Sequence, residues 1–342
     1  MESTLENNIV QYTAKDFKSD QYVRWCPGCG DYAILNSIQK VMADLGVAPH
    51  NTAVISGIGC SSRLPYYINS YGFHTIHGRG AAVATGVKVA NPKLTVWQIT
   101  GDGDCLAIGG NHFIHSVRRN IDINVLLFNN QIYGLTKGQF SPTTKKGFVT
   151  KSSPYGTIER PFRPAELTFG ARGTFFARLL DVDLKNSQEV ISASAKHKGT
   201  SIVECLVNCV IFNNGAHNWL SEKETRTDRL IFLEHGKPMI YGKDRNKGLM
   251  LDGFTLKTVT IGENGITEKD ILVHDAKCED NTLQLKLAMM EGPDMPIAVG
   301  VIRDFEDETY EEAMDKQIAE VKSRSKISNF DQLVGSLEHW QM

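Results

Sequence analysis

Five short apolar, β-branched runs recur along the chain: TAVIS (52–56), LTVWQI (94–99), INVLLF (123–128), TFFARLL (174–180) and SIVECLV (201–207). Segments of helical period separate several of them, and this alternation constrains the fold more than any other feature. Strands that are apolar on both faces and divided by helices require a parallel sheet covered on both sides. LAIGGNHFIHSVRRN and LKNSQEVISASAKHK read as two of the covering helices. A third spans 31–45, where Ile34, Leu35, Ile38, Val41, Met42 and Leu45 share one face and Asp31, after Gly30, is the expected N-cap. Ligands of such sheets sit beyond the carboxyl ends of the strands. The Gly-rich polar loops after TAVIS, LTVWQI and INVLLF are therefore where chemistry is expected.

From about residue 210 the βα rhythm stops. Asn213, Asn214 and Gly215 open a stretch dense in charge, and DETYEEAMDKQIAEVKSR (308–325) reads as a surface helix. The expected organisation is one domain over 1–212 and a C-terminal extension over 213–342 that docks on that domain or on a partner. With 342 residues, 41% apolar and 22% charged, the chain can bury one large core plus such a unit. A formal net charge of −2 argues against a nucleic-acid-binding surface. The first twenty residues lack the apolar centre of a secretory signal, and no apolar run approaches the ~18 residues of a membrane span. The expected location is cytoplasmic, where the seven cysteines would be thiols, metal ligands or redox groups.

LTVWQIT runs into Gly101-Asp102-Gly103-Asp104, and 25 residues later Asn129-Asn130 closes the next strand. One βα unit fills that gap, so neighbouring parallel strands deliver Asp102 and Asn130 to the same sheet edge. A carboxylate and an amide carbonyl suit a hard cation such as magnesium. Gly101 and Gly103 let backbone amides approach a diphosphate, and a helix expected to begin near Leu106 would direct its positive end there. Alone, a Gly-Asp-Gly is most often a turn. With a strand before each half, the pattern resembles the fingerprint of thiamine diphosphate enzymes. That resemblance implies magnesium held by Asp102, Asn130 and the backbone carbonyl of Ile132, with the cofactor's diphosphate held by the ion.

Cys26-Pro27-Gly28-Cys29 precedes the first helix, Cys60 sits in the loop after TAVIS, and Cys209 follows SIVECLV. A Cys-x-x-Cys pair by itself is compatible with zinc binding, with redox chemistry or with coincidence. Position says more, since these cysteines share the sheet edge with the diphosphate loop. WCPGCGDYAIL, SGIGCSSRLPYY, HGRGAAVATG, GDGDCLAIGGNH and NNQIYGLTKGQ, in that order over residues 20–215, resemble the beta subunits of two-subunit 2-oxoacid:ferredoxin oxidoreductases, most of all those acting on 2-oxoglutarate. The resemblance implies an α/β thiamine diphosphate-binding fold, a parallel sheet flanked by helices, followed by the C-terminal extension. It also implies a 4Fe-4S cluster on Cys26, Cys29, Cys60 and Cys209. Cys205 competes with Cys209 for the fourth place, and structural zinc at all four is the alternative metal.

The implied reaction is oxidative decarboxylation of a 2-oxoacid on thiamine diphosphate, with electrons passed through the cluster to ferredoxin and the acyl group to coenzyme A. A sufficiently reducing donor would drive it backwards, fixing carbon dioxide. In the family the activating glutamate belongs to the alpha subunit, or to a fused gamma-alpha chain, so this chain is expected to work only as one half of a heterodimer. Arg63 and Lys137 match positions where basic residues meet the distal carboxylate of 2-oxoglutarate, which favours succinyl-CoA as product over the same chemistry on pyruvate or on a broad range of 2-oxoacids. His77 is a candidate for contact with cofactor or substrate, and Gly59, Ser61, Gly78, Asp104, Leu135 and Thr136 complete the expected cofactor site. A non-oxidative thiamine-dependent subunit carrying structural zinc is the other reading.

Overall fold

The computed structural model describes residues 11–335, so the first ten residues of the stretch considered for a secretory signal lie outside it. Eight strands form the main sheet: β1 (Thr52–Ser56), β2 (Tyr71–His74), β3 (Thr95–Gly101), β4 (Asn124–Asn129), β5 (Phe175–Leu180), β6 (Ser201–Leu206), β7 (Leu230–Leu233) and β11 (Ile297–Asp304). Their order is β2-β1-β3-β4-β6-β5-β11-β7. All neighbours pair in parallel except β11 with β5, which is antiparallel. β8 (Ile240–Tyr241), β9 (Lys247–Asp252) and β10 (Thr255–Thr260) make a separate antiparallel sheet. The five apolar runs are β1, β3, β4, β5 and β6, and β1, β4, β5 and β6 are buried along their whole length, as strands covered on both faces must be.

Alternate side chains of one strand supply two apolar layers. Val125 and Leu127 of β4 face a core with Phe113, Val117 and Phe169, whereas Leu126 and Phe128 face one with Ile34, Ile38, Met42 and Ile191. Helices α4 (Gly110–Arg118) and α5 (Pro164–Gly170) cover the first layer together with α2 (Gly80–Ala90). Helices α1 (Asp31–Asp44) and α6 (Leu184–Lys196) cover the second. Ile34, Ile38 and Met42 of α1 are essentially inaccessible, and each such burial contributes ~1.5–3 kcal/mol. The periodic face is as expected, but the cap is not. Gly30 occupies the N-cap, and Asp31 is the first helical residue and buried, because the Cys26–Cys29 turn has already brought the chain into helical conformation at Gly30.

The C-terminal segment also departs from expectation. The boundary drawn at 212/213 runs through the main sheet rather than beside it, since β7 and β11 lie beyond it and extend the sheet past β5. The charged stretch that hid these strands belongs mainly to the small sheet and to the solvent-exposed helix Tyr310–Arg324. Among the described residues no helix is long and apolar enough to cross a membrane.

Candidate functional site

β1, β3, β4 and β6 are parallel and mutually adjacent, so the loops at their carboxyl ends meet at one edge. Gly101 pairs opposite Phe128, which puts Asp102 beside the Asn129-Asn130 pair as the strand spacing predicts. Between the loops lies a cavity of about 320 Å3. Gly59, Ser61, His77, Gly101, Asp102, Gly103, Asp104, Asn130, Ile132, Leu135 and Thr136 line it, so of the expected cofactor-site residues only Gly78 lies outside its walls. The helix anticipated near Leu106 instead begins at Asp102 as the short α3 (Asp102–Leu106), which places both acids in its first turn.

The two acids have different surroundings. Asp104 is committed to the loops: its Oδ1 accepts from the Ile58 and Gly78 amides at 2.9 and 2.7 Å and lies 3.0 Å from His77 Nδ1. Its Oδ2 accepts from Thr100 Oγ1 at 2.7 Å. One carboxylate thus fastens the loops after β1, β2 and β3 together. A side chain at Gly57 would stand 2.1 Å from Asp104 Oδ2, so the close approach requires glycine there. Held through Nδ1, the His77 ring keeps Nε2 for another partner.

Asp102 is as deeply buried, and Ser141 and Thr143 donate their hydroxyls to its Oδ2. Burial pushes its carboxyl up to about 6 against the downward pull of those hydroxyls. A group held this way gains from a neighbouring cation. Asn130 Oδ1 accepts from the Ile132 amide at 3.1 Å, which bends the chain so that Asn130 and Ile132 both line the cavity with Asp102. This donor set of carboxylate, amide and main-chain oxygens fits magnesium, and the glycines leave room for a diphosphate.

Tyr133, which sequence reasoning missed, closes the floor. Its hydroxyl donates to the Gly103 carbonyl at 3.0 Å, and a Cβ at Gly103 would lie 2.2 Å from its ring. Burial, with Asp102 and Asp104 nearby, raises its hydroxyl to about 12. Ile58 and Gln139 also line the cavity without having been expected there.

A second cavity of about 200 Å3 adjoins the first, and Cys60, Asn130, Gly134 and Leu135 border both. Cys26, Cys29, Cys60 and Cys209 all line it. An added Cβ on Gly134 would sit 3.5 and 3.6 Å from the sulfurs of Cys60 and Cys209. Trp25, another unanticipated residue, supports it by donating Nε1–H to the Cys60 carbonyl at 2.6 Å. Cys205 lies inside β6 in the apolar layer, fully buried, so the geometry groups Cys209 and not Cys205 with the other three. Burial, then the charge of Asp31, pushes the Cys60 thiol up to about 12 and Cys29 higher still. Thiolates there need a cationic centre. Among the described residues no three His, Cys, Asp or Glu side chains could together hold a single metal ion. Arg63 and Lys137 line this cysteine cavity together with Arg24, and neither lines the cofactor cavity.

The chain matches the family described as thiamine pyrophosphate enzyme, C-terminal TPP binding domain, over residues 57–205. It is 47% identical over 310 residues to the 2-oxoglutarate oxidoreductase subunit KorB of Mycobacterium tuberculosis, covering 90% of this chain and 82% of that one. It is 44% identical over 218 residues to the beta subunit of 2-oxoacid:ferredoxin oxidoreductase 1 of Aeropyrum pernix, covering 64% of this chain and 67% of that one. The chain belongs to the 2-oxoacid:ferredoxin oxidoreductase beta subunits. A solved 2-oxoglutarate:ferredoxin oxidoreductase from Magnetococcus marinus, with 2-oxoglutarate, coenzyme A and succinyl-CoA bound, matches this beta subunit at a TM-score of 0.78 and 30% identity, over 97% of this chain and 98% of that one. The fold expected from the resemblance, a thiamine diphosphate-binding α/β fold with a mostly parallel, helix-flanked sheet, is the fold of this beta subunit. It is one subunit of an oxidoreductase.

Proposed function

We propose that this beta subunit, joined to an alpha or fused gamma-alpha subunit, oxidatively decarboxylates 2-oxoglutarate to succinyl-CoA and passes the electrons through a 4Fe-4S cluster to ferredoxin, reversibly when a strong reductant is supplied. The observation that carries the reading is the shared wall of the two cavities, formed by Cys60, Asn130, Gly134 and Leu135. It sets a thiolate-lined chamber directly beside the chamber that the Asp102 loop builds. Bound thiamine diphosphate would supply the means to hold a pair of electrons after carbon dioxide leaves, and an iron-sulfur cluster would accept them one at a time.

In this reading Asp102, Asn130 and the Ile132 carbonyl hold magnesium, and Gly59, Ser61, Gly78, Gly101, Gly103, Asp104, Leu135 and Thr136 shape the cofactor's seat. His77 takes the cofactor or substrate carboxylate on Nε2. Cys26, Cys29, Cys60 and Cys209 ligate the cluster. Arg63 and Lys137, which form no ion pair among the described residues, hold the substrate's distal carboxylate from the cysteine cavity that adjoins the cofactor's seat. Residues 1–212 carry these groups, while β7 and β11 of the following segment extend the sheet beyond β5.

The test is the anaerobic visible spectrum and iron content of the beta subunit purified with its partner, before and after 2-oxoglutarate, coenzyme A and thiamine diphosphate. A brown protein with a broad band near ~400 nm that bleaches with 2-oxoglutarate is the expected result. Bleaching with pyruvate alone would overturn the substrate assignment, and a colourless zinc protein would overturn the electron path.

A further inference from the structure

Asn129, Thr143, Glu204 and Arg178 are all buried, and none belongs to the cofactor cavity. They form an unbroken chain of polar contacts that ends on Asp102. Arg178 of β5 donates Nε–H to Glu204 Oε2 at 2.7 Å and its two terminal nitrogens to the Ala298 and Ala288 carbonyls, each at 3.2 Å. Glu204 Oε1 accepts from Asn129 Nδ2 at 2.8 Å, which fixes the amide so that its oxygen points the other way. That oxygen lies 3.0 Å from Thr143 Oγ1, and the Thr143 hydroxyl reaches Asp102 Oδ2.

We propose that Thr143 is a positioning residue for the metal loop, aiming the Asp102 carboxylate at its cation on behalf of the buried Arg178–Glu204–Asn129 chain. The inference rests on the reading of Asp102 as a metal ligand. Three observations support it. First, Thr143 has one proton and three acceptor oxygens in reach, Asp102 Oδ2, Asn129 Oδ1 at 3.0 Å and Ser141 Oγ at 3.3 Å; the carboxylate is the strongest, and giving it the proton leaves Asn129 Oδ1 as an oxygen–oxygen contact that limits where the hydroxyl can sit. Second, Ser141 donates to the same oxygen, Oδ2, so neither hydroxyl commits Oδ1. Third, Ser141 and Thr144 tie the run to the Asn130 loop, because the Ser141 amide donates to Thr144 Oγ1 at 2.7 Å and Thr144 Oγ1 donates to the Gln131 carbonyl at 2.7 Å. Both halves of the expected metal site therefore hang on residues 141–144. The chain also gives the C-terminal segment a part in the site, since Ala288 and Ala298 hold the guanidinium from which it starts.

The experiment uses the complex with its partner subunit, stripped of metal and cofactor, and measures Mn2+ affinity in the presence of thiamine diphosphate by calorimetry or by the signal of free Mn2+. Thr143→Val keeps the shape and removes the donor, and should weaken Mn2+ binding about tenfold or more, while Thr143→Ser stays within about threefold of wild type. Metal-free Thr143→Ser should melt with wild type and Thr143→Val a few degrees lower, because it takes a hydroxyl from buried Asp102 and Asn129; affinities read well below those melting temperatures separate aim from stability. Wild-type affinity in Thr143→Val, or equal weakness in Thr143→Ser, overturns the proposal. If Thr143→Val does not fold, Thr143→Cys against Thr143→Ser replaces it, a thiol being a poor donor of similar size; equal affinity in that pair overturns it as well. A wild-type complex that takes up no Mn2+ overturns the assignment of Asp102 as ligand, a distinguishable failure.

Discussion

The two chambers at the sheet edge share a wall but are built by different forces. The cofactor cavity is fixed by hydrogen bonds: four groups converge on Asp104, two hydroxyls on Asp102, and Tyr133 on the Gly103 carbonyl. The cysteine cavity leans on packing and on hydrogen bonds to the main chain, such as Trp25 to the Cys60 carbonyl, with no buried carboxylate at its centre. Trp25 stands edge-on to Tyr32 and Tyr67, with Val210, Ile211 and Phe212 completing the lining and Arg24, Arg63 and Lys137 supplying charge. A diphosphate site must hold its geometry before a charged ligand arrives, because misplaced dipoles cost affinity directly. A thiolate site can borrow rigidity from the metal it binds, because ligation contributes its own free energy.

The largest effect that could break this comparison comes from the cysteines. Cys60→Ala and Cys209→Ala should each abolish the visible chromophore and electron transfer to ferredoxin, while thiamine diphosphate affinity stays within about threefold of wild type, since packing around the loop survives. Cys205→Ala should keep the chromophore and cost about 1 kcal/mol of stability, the loss expected for a small truncation in a closed core. A colourless Cys205→Ala beside a coloured Cys209→Ala would reverse the ligand assignment. Next in size is Asp104→Ala. It strands buried donors from Ile58, Gly78 and Thr100, and should lower stability by about 4 kcal/mol, a fall in Tm of roughly 10 °C by calorimetry. No single cysteine replacement should lower the Tm of the metal-free protein that far.

Much of this contrast was legible in the sequence. Asp102, Asn130, Cys60 and Cys209 follow strands that deliver their terminal residues to one edge, while the grouping of Cys26 and Cys29 with them came from the resemblance to the family. β7 and β11 were not legible. β7 has only four residues and follows a charged stretch, and β11, though eight residues long, comes after the small antiparallel sheet; both lie beyond β5, so no βα rhythm announces them. Tyr133 was missed because its place under Gly103 is a loop contact, set by φ and ψ rather than by periodicity. Asp104 was read as a cofactor contact, and its fastening of three loops depends on tertiary neighbours 26 to 46 residues away. The Ser-Pro-Thr-Thr run at 141–144 did offer a signal, a cluster of hydroxyls shortly after the Asn-Asn pair, that could have pointed to support for a carboxylate.

Arg63 sharpens the comparison from the cysteine side, since it was expected to serve the substrate yet lines the cysteine cavity and not the cofactor cavity. Arg63→Met should raise KM for 2-oxoglutarate about 30-fold while leaving KM for pyruvate unchanged, the loss of one charge-assisted contact of ~2 kcal/mol. Steady-state kinetics with both acids decide it. An unchanged KM together with slower cluster reduction would assign Arg63 to the cysteine chamber instead.

The smallest effect is a pH dependence, and its sign follows from Asp102. Its carboxyl is raised by burial to about 6 in the folded, metal-free chain, so a proton competes with the cation below that value. Magnesium-dependent binding of thiamine diphosphate should therefore be flat above pH ~7 and fall about tenfold per unit below ~6, where an ordinary carboxylate would hold it flat to ~4. Stability of the metal-free protein should run the other way. The folded state keeps a proton at Asp102 that the unfolded chain has released, so stability falls as pH rises from ~4 through ~6, and the buried Asp31, raised to about 7, extends that fall upward. Saturating magnesium and cofactor should remove the Asp102 part and leave the Asp31 part, because only Asp102 is exchanged between proton and cation. Calorimetric melting across pH 4–8, with and without magnesium and thiamine diphosphate, separates the two: identical pH profiles in both conditions would mean that the cation does not sit on Asp102.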